Sequence, residues 1–375
     1  MVRDGLSLAS CFALVSGAAA VTSALATPVF ARWARRAGLV SRPGPRRDHQ
    51  EEIPLLGGAA ILGTFLLGVG GAALVLTTPG IRAGIADVLP MSSELLASVS
   101  PGAATWTALS GLCGAAILVF LFGLADDRVG DSFSPWKKVA GQGVGAVILW
   151  MSGVRSDLFD GGAMDFVLTL LWVLAVTNAF NLLDNMDGLV AGVAALSCSL
   201  LLSVAAGQGQ ILVGGILALL LGAVLGFLPH NFPRARVFLG DAGSQVLGLL
   251  LAGLALVESY VTPSGPGLAP VAIPVLVLLV PLFDTAWVVQ RRLRERRPLA
   301  VGDTSHLSHC LVRLGLSRPQ AVLVHWLLTL GCGSTAALLP WLPPTGVLLV
   351  LVQSLATLCL VGLLVGAASR ARQVG

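Results

Sequence analysis

Charged residues are scarce in this chain of 375 residues, where they make up only 11%. Water-soluble domains usually contain about 25% charged residues, so the composition excludes an ordinary soluble protein, and we expect no nucleic-acid partner. The six cysteines lack the spacing of a zinc or redox site. We find no low-complexity segment, no convincing internal repeat and no soluble domain. The sequence therefore predicts a single integral membrane domain over residues 1–375.

Long apolar runs make up most of the chain, because 55% of its residues are hydrophobic. A helix of about 20 apolar residues can cross the hydrocarbon core of a lipid bilayer. Eleven runs approach this length, although the fourth is short: 7–29, 55–78, 104–124, 139–153, 164–183, 187–206, 209–228, 242–261, 268–289, 320–340 and 345–367. We therefore predict an all-α fold, a polytopic membrane bundle of about eleven transmembrane helices.

The basic residues predict how this bundle is oriented. Threading the spans alternately through the bilayer places all but three of the 23 lysines and arginines on one side. Because cytoplasmic loops carry an excess of Lys and Arg, that side is predicted to be cytoplasmic. The N-terminus is then outside and the C-terminus is in the cytoplasm. The loops expected to build a site lie near residues 31–54, 125–138, 184–187, 229–241 and 290–319.

Acidic side chains lie at the cytoplasmic ends of several spans, where a carboxylate beside hydrocarbon is costly and needs a reason. Asp126 and Asp127 end the third span. Such a pair can share a divalent cation, but it is also explained as a solvated helix end. Lys138 and Gln142 follow at a spacing that places them on one helical face. Lys138 is either a phosphate contact or a snorkelling anchor, and by itself it favours the anchor.

A second cluster repeats every three residues, at Asn178, Asn181, Asp184 and Asp187. Three residues turn an α-helix by about 300°, so these side chains are predicted to form one slowly winding stripe that ends at Gly188. The stripe must face the bundle interior or a wet cavity, because lipid does not tolerate it. An interhelical hydrogen-bond ladder is one explanation, but two amides followed by two acids favour a functional site.

The segment FLGDAGS places Asp241 between glycines at the predicted start of the eighth span. Gly240 and Gly243 allow a ligand to approach the backbone, and a helix N-terminus offers free N–H groups to a phosphate. Asp241 is explained equally well as a helix N-cap. We expect Asn231 and Phe238 to border the same cavity.

The last cytoplasmic loop combines an arginine run, which includes Arg292 and Arg294, with the sequence DTSHLSH. A patch for lipid headgroups explains most of the arginines. His306 and His309 lie three residues apart and could share a helical face. Because Mg²⁺ prefers oxygen ligands, we expect these histidines to contact a diphosphate instead of a metal.

Together and in this order, the segments resemble the polyprenyl-phosphate N-acetylhexosamine-1-phosphate transferase family. The resemblance runs from GLVSRPGPRRDHQEEIPLLGG through DTSHLSHCLVRLGLS, near residue 317. Members of this family move a sugar-1-phosphate from a UDP-sugar to a lipid phosphate and release UMP. The resemblance thus implies a UDP-N-acetylhexosamine and a polyprenyl phosphate, such as undecaprenyl phosphate, as partners. It also implies Mg²⁺ as the cofactor, with Mn²⁺ as a substitute, and the bacterial cytoplasmic membrane as the location.

The resemblance also assigns roles by position. It implies catalytic roles for Asp126, Asp127, Asp184 and Asp187, metal binding by Asp241, Asp127 and Asp184, and substrate contacts by Lys138, Asn181, Asn231, Phe238 and His306. Asn178, Arg292, Arg294 and His309 complete the predicted substrate-binding set. The second pKa of a phosphate monoester is about 6, so the lipid phosphate is largely dianionic near neutral pH and needs no strong general base. Proton abstraction by Asp126 or Asp127 is the rival assignment.

Departures from the family pattern bear on the donor sugar. Ser308 stands where relatives often have a histidine, and Asn185 stands where they usually have a glycine. The chain lacks the consecutive histidines of the UDP-MurNAc-pentapeptide transferase branch, and it has Gln50 and Leu55 near the first-loop glycines instead of that branch's Lys and Thr. We therefore favour UDP-GlcNAc as the donor, for the first membrane step of a cell-envelope glycopolymer, with the pentapeptide substrate as the alternative.

Other classes of protein explain the pattern less well. A membrane transporter also buries acids, but its sites lie near the bilayer midplane, whereas these acids are predicted at one boundary. A UbiA-like prenyltransferase offers no evident place for the GDAGS and DTSHLSH segments. A noncatalytic scaffold needs no convergence of acids. The sequence is compatible with a homodimer.

Overall fold

The computed structural model describes residues 7–43, 51–88, 101–159, 161–257, 268–296 and 306–374. This part of the chain is almost entirely helical. Its α-helices are α1 Leu8–Arg36, α2 Gly57–Thr77, α3 Pro79–Val88, α4 Ala103–Val129, α5 Pro135–Met151, α6 Ala163–Leu183, α7 Leu189–Gly207, α8 Ile211–Asn231, α9 Gly240–Val257, α10 Ala269–Val277, α11 Leu279–Glu295, α12 Leu307–Arg313, α13 Arg318–Gly333 and α14 Pro344–Val374. Short 3₁₀ helices follow α4 at Gly130–Ser132 and α13 at Ser334–Trp341.

The predicted all-α membrane bundle is confirmed. Among the described residues, nine helices are long and apolar enough to cross a membrane, and the bent pair α10–α11 makes a tenth candidate span. The predicted fourth span corresponds to α5. This helix has only 17 residues, carries Lys137 and Lys138 in its first turn, and is not among the candidate spans. By length and composition, the described residues thus contain nine spans, or ten if the bent pair counts as one, against the predicted number of about eleven. The orientation of the termini stays a prediction.

The predicted span over residues 268–289 is broken instead of straight. Helices α10 and α11 are bent by 72° at Leu278. Pro281 explains part of this break, because it has no N–H to donate to the carbonyl of Val277 one turn earlier. The bend carries α11 toward the end of the bundle at which the acidic residues lie, and it places Asp284 inside the protein.

Local sequence signals explain several helix ends. The side chain of Ser7 accepts a hydrogen bond from the N–H of Ser10 (3.2 Å) and caps α1. Pro135 occupies the first turn of α5, where a missing N–H costs nothing. Ser317 and Gln320 form a capping box at the start of α13.

Helix α9 is the centre of the bundle, with 83% of its span buried, whereas α1 and the last helix, α14, are each only 17% buried. It packs against α2, α4 and α6. Glycines allow the closest approaches: a side chain at Gly58 would collide with Gly243, and one at Gly123 would collide with Ala242. The first turn of α9 is therefore pressed between α2 and α4, and this fixes the position of Asp241.

The first predicted loop also reaches this end of the bundle. Strands β1 Val40–Ser41 and β2 Ile53–Pro54 pair antiparallel, while residues 44–50 of the loop lie outside the described part. The carbonyl of Pro54 accepts from the N–H of Phe238 (2.8 Å), and the N–H of Gly57 donates to the carbonyl of Phe238 (3.0 Å). The segment before α9 is thereby bound to the entrance of α2.

Candidate active site

Side chains from four elements meet at Asp241, in the first turn of α9. One carboxylate oxygen accepts from Lys138 Nζ of α5 (2.7 Å), and the other accepts from Asn181 Nδ2 of α6 (2.8 Å). Lys138 also forms an ion pair with Asp126, at the end of α4. Asn181 donates further to Ser244 Oγ (3.1 Å). Lys138 is thus held between two carboxylates, so its place is inside the acidic cluster and not at the lipid boundary.

Asp127 holds the N-terminus of α9. Its two oxygens accept from the backbone N–H groups of Asp241 (2.8 Å) and Ala242 (3.1 Å). A carboxylate at a helix N-terminus is favoured by the helix dipole and by the free N–H groups. Gly240 enters this turn with φ of 76°, and a side chain there would collide with Asp127 and with the carbonyl of Leu55. Both members of the acidic pair therefore contact the FLGDAGS segment, directly or through Lys138.

The row Asn178, Asn181, Asp184 and Asp187 is not the continuous helical stripe that the spacing predicts. Helix α6 ends at Leu183, so only the two asparagines lie on it, and Asp184 is its C-cap. Asp187 lies in the short turn before α7 and accepts from the N–H of Ala235 (2.9 Å). The acids are therefore carried by a turn, which lets them approach the cluster from the side.

Asp184 lies among other carboxylates. Although its side chain reaches solvent, the surrounding protein and the charges of Asp241, Asp127 and Asp187 raise its pKa well above the usual value. Within the described part of the chain, its carboxylate accepts no hydrogen bond. Among the described residues, the charged form of Asp184 therefore has no hydrogen-bond donor to stabilise it.

Asn231 and Phe238 contact segments that lead into the cluster, each through different atoms, and their predicted contact with substrate stays a prediction. Asn231 is buried, accepts from the N–H of Gly188 (2.9 Å) and donates to the carbonyl of Val237 (3.0 Å). Its side chain thus ties the turn before α7 to the segment before α9. Phe238 contributes the backbone pairing with Pro54 described above, while its ring is half-buried.

A layer of amides lies one helical turn deeper in the bundle. Asn178 Nδ2 donates to Gln142 Oε1 (2.6 Å), and Gln142 Nε2 donates to Gln245 Oε1 (3.0 Å). Gln142 and Gln245 are fully buried. Asn178, predicted to bind substrate, is therefore bound to protein partners beneath the carboxylates, and Gln142 lies on the same face as Lys138, as its spacing predicts.

The histidine segment contacts the turn that follows α6. His306 Nδ1 lies 2.6 Å from a carboxylate oxygen of Asp284, and Ser308 Oγ donates to Asn185 Oδ1 (2.8 Å). The rings of His306 and His309 have centroids 6.5 Å apart. Residues 303–305 of DTSHLSH lie outside the described part.

The two predicted arginines differ in their surroundings. Arg292 is 4% exposed, whereas Arg294, two residues later on α11, faces solvent. The predicted substrate contacts of Arg292 and Arg294 stay predictions.

The donor atoms of the cluster suit a hard divalent cation. Mg²⁺ binds carboxylate and other oxygen ligands, and Asp126, Asp127, Asp184, Asp187 and Asp241 supply five carboxylates with one lysine between them. Over the described residues, no three acidic, His or Cys side chains form a ready-made metal site. Their oxygen chemistry nevertheless fits Mg²⁺. The Asp184 carboxylate, which accepts no hydrogen bond among the described residues, would be available as a metal ligand.

Two buried contributors were missed by the sequence reasoning. Asp284 lies inside the predicted span 268–289, where it is 1% exposed and bonded to His306. Gln245 lies in α9, directly before its apolar part, and is absent from the predicted site. The signal available for each was a lone polar residue inside a span, which is expensive unless it has a partner.

The part of the chain that builds this cluster is also the part that matches a known protein family. The family model "Glycosyl transferase family 4" matches residues 109–259, from α4 to just beyond α9. A probable undecaprenyl-phosphate N-acetylglucosaminyl 1-phosphate transferase of Bacillus subtilis is 31% identical over 317 residues, covering 82% of this chain and 79% of the relative. A decaprenyl-phosphate N-acetylglucosaminephosphotransferase of Mycobacterium tuberculosis is 32% identical, covering 84% and 79%.

A relative from the alternative branch matches over a shorter stretch. The phospho-N-acetylmuramoyl-pentapeptide-transferase of Limosilactobacillus fermentum is 36% identical over 165 residues, which covers 40% of this chain and 52% of the relative. The similarity to the N-acetylglucosamine-1-phosphate transferases thus extends over about twice as much of the chain.

Proposed function

This chain belongs to glycosyl transferase family 4, a family of sugar-phosphate transferases, and we propose that it transfers N-acetylglucosamine-1-phosphate from UDP-GlcNAc to a polyprenyl phosphate. The products are polyprenyl-diphospho-N-acetylglucosamine and UMP. Long similarity to two transferases of that kind supports this donor over UDP-MurNAc-pentapeptide. The bacterial origin of these relatives and the basic loops support the cytoplasmic membrane, with the site facing the cytoplasm.

The observation that carries the proposal is the junction of Asp126, Lys138, Asn181 and Asp241 at the ends of four elements. Acids from a span end, a turn and a helix N-terminus have no reason to converge in a membrane protein unless the ligand is charged. A reaction between two phosphates supplies that reason, because both reactants are anions.

In the proposed reaction, an oxygen of the lipid phosphate attacks the phosphorus that bears the sugar. The bond from this phosphorus to the bridging oxygen breaks, and UMP leaves with that oxygen. The lipid phosphate is already largely dianionic near neutral pH, so no residue has to remove a proton first. Catalysis then consists mainly of positioning the reactants and offsetting their charge.

The residues divide this work by position. Asp241 and Asp184, with Asp127 behind them, would hold Mg²⁺, which when bound neutralises charge on the diphosphate. Lys138 is the ammonium group inside the cluster and is assigned to the phosphates. Asp127 orients the first turn of α9 through two backbone N–H groups. Asn181 holds the second oxygen of Asp241, which fixes the carboxylate plane.

The test uses purified full-length protein in detergent with UDP-[¹⁴C]GlcNAc, polyprenyl phosphate and Mg²⁺. We expect label to enter the organic phase with stoichiometric release of UMP. Parallel reactions replace the donor with UDP-MurNAc-pentapeptide or replace the acceptor with a polyprenyl alcohol, and both should give background. Transfer from the pentapeptide donor alone would overturn the assigned donor.

The transporter alternative is tested with protein in sealed vesicles that lack the acceptor. Label carried unchanged into the lumen would support transport and refute the transferase. We expect no such uptake.

A further inference from the structure

A buried acid–histidine pair belongs to the turn that Ser308 joins to Asn185, the neighbour of Asp184, and the proposed reaction gives the pair no role. Asp284 on α11 and His306, just before α12, are 1% and 3% exposed. His306 Nδ1 and a carboxylate oxygen of Asp284 are 2.6 Å apart. A contact this short between a ring nitrogen and a carboxylate is a strong, charge-assisted hydrogen bond. The pair fixes the rotation of the imidazole ring.

Asp284 also fixes the backbone that carries this ring. Its second oxygen accepts from the N–H of Leu307 (2.8 Å), at the first residue of α12. One carboxylate thus bonds to the ring and to the following peptide group, and His306 is held at two points. A buried carboxylate is expensive unless its oxygens are hydrogen-bonded, and here both oxygens are.

A separate contact attaches this turn to the acidic cluster. Ser308 Oγ donates to Asn185 Oδ1 (2.8 Å), and Asn185 follows Asp184 directly in the chain. Asn185 also donates to the carbonyl of Leu182 at the end of α6 (3.3 Å). Ser308 and Asn185 are two of the positions at which the sequence departs from the family pattern. The histidine turn is therefore joined to the segment that carries Asp184 and Asp187.

The chemistry of imidazole then limits what His306 can do. Asp284 takes up Nδ1, which leaves Nε2 as the ring atom for a second partner. A ring that donates from both nitrogens carries a positive charge, and Asp284 on one side and a phosphate on the other would offset it. The same arrangement of an outer acid, a histidine and a ligand orients histidines at metal sites.

We propose that Asp284 is a positioning residue, which holds His306 so that Nε2 binds the diphosphate of the UDP-sugar. The proposal rests on the proposed function and deepens it, because it assigns a recognition element for the donor and not for the lipid. Asp284 itself touches no substrate. The competing explanation is that Asp284 only joins α11 to the start of α12, and this would make its effect independent of the His306 ring.

The test is a double-mutant cycle with Asp284→Asn, His306→Ala and the double variant, assayed with full-length protein in detergent. Replacing a residue that orients a ligand-binding histidine usually lowers affinity or activity by about 10–100-fold. We expect Asp284→Asn to lower kcat/KM for UDP-GlcNAc by about that factor, while KM for polyprenyl phosphate stays unchanged. In the His306→Ala background, Asp284→Asn should have less than about a 2-fold further effect.

Thr285→Val is the matched control. This neighbour on the same helix has a buried hydroxyl with no partner among the described residues, so its replacement should leave kinetics unchanged. Melting temperature and monodispersity are recorded for every variant. If Asp284→Asn does not fold, Asp284→Glu replaces it in the cycle, since it keeps the charge and displaces the oxygens. Equal losses in both backgrounds, or a loss shared by both substrates, would overturn the positioning role.

Affinity for UDP-GlcNAc, measured by calorimetry without acceptor, separates this proposal from the proposed function. A wild-type protein that binds UDP-GlcNAc but transfers nothing would refute the transferase, and the same cycle read in Kd would still decide the role of Asp284. Additive effects on Kd would refute it. A wild-type protein that binds no UDP-sugar would overturn both.

Discussion

Two carboxylate environments at different places in this bundle show how differently a membrane protein can hold an acid. Asp165, in the first turn of α6, is fully buried and accepts four hydrogen bonds: from Ser156 Oγ (2.7 Å) and from the N–H groups of Leu158, Phe159 and Gly161 (2.8–2.9 Å). Asp184, at the other end of the same helix, accepts none within the described residues. It faces other carboxylates instead.

We infer from this difference that Asp165 stabilises the fold, whereas the acids around Asp241 are held for a ligand. At Asp165 the loop between α5 and α6 wraps its N–H groups around the charge, so burial is compensated inside the protein. At the other end, five carboxylates have Lys138, Asn181 and a few backbone donors as partners. The remaining compensation has to come from outside the chain. The comparison therefore predicts opposite responses to neutralising an acid at each end.

Asp241→Asn should have the largest effect on activity. The substitution removes a negative charge that bonds Lys138 and that is assigned to Mg²⁺, while Asn181 and the helix N-terminus stay in place. We expect transfer to fall by about 10³-fold, the size of effect seen when a main electrostatic contact is lost. The measurement is label transfer under saturating Mg²⁺, with folding checked by melting temperature. Near-normal turnover would contradict the metal assignment.

Asp184→Asn should separate activity from stability. Because Asp184 lies among Asp241, Asp127 and Asp187 without a donor, its neutralisation removes repulsion from the folded protein. We expect about 100-fold lower transfer together with a higher melting temperature than wild type in the presence of a chelator. Excess Mg²⁺ should narrow that gap by stabilising wild type more. A lower melting temperature in chelator would show that Asp184 is satisfied by the protein, as Asp165 is.

Asp165→Asn should give the opposite pair of results. An amide has one acceptor oxygen, so some of the four donors around it lose their partner, at a cost of about 2 kcal/mol or more. We expect a lower melting temperature, with transfer per folded molecule within about 2-fold of wild type. Asp157→Asn is the control, because its ion pair with Arg155 is exposed and worth little. Loss of transfer without loss of stability would contradict the assignment of Asp165 to the stability of the fold.

The sequence alone predicted the helices and the main acids because both follow from local rules. Apolar runs fix the spans, and a carboxylate beside hydrocarbon marks a site wherever it occurs. Asp126, Asp127 and Asp241 were therefore identifiable without knowing that they share Lys138. The apolar run also predicts that the span ends at residue 183, as it does. The three-residue spacing of the polar residues continues past that point, so it wrongly predicts a helical stripe through Asp187.

Contacts between distant residues were beyond these rules. Asp284 and His306 are 22 residues apart, with the 72° bend before Asp284 and residues 297–305 between them. Asp165 lies at the start of the predicted span 164–183, and nothing in its sequence surroundings shows that three N–H groups point at it. In both cases a lone acid in the sequence had a partner that depends on the path of the backbone, and periodicity carries no information about that path.

Substitution in the amide layer beneath the carboxylates should have the smallest effect on transfer. It tests where the substrate site ends and the protein-satisfied interior begins. Gln142 is fully buried and bonded to Asn178 and Gln245, so it resembles Asp165 in being satisfied by protein. We expect Gln142→Met to lower stability by about 1 kcal/mol and transfer by less than about 3-fold. Gly143→Ala, the next residue, has open space around it and should be neutral or slightly stabilising. If Gln142→Met instead abolished transfer at unchanged stability, the substrate site would extend one turn deeper than the carboxylates, and Asn178 would belong to it.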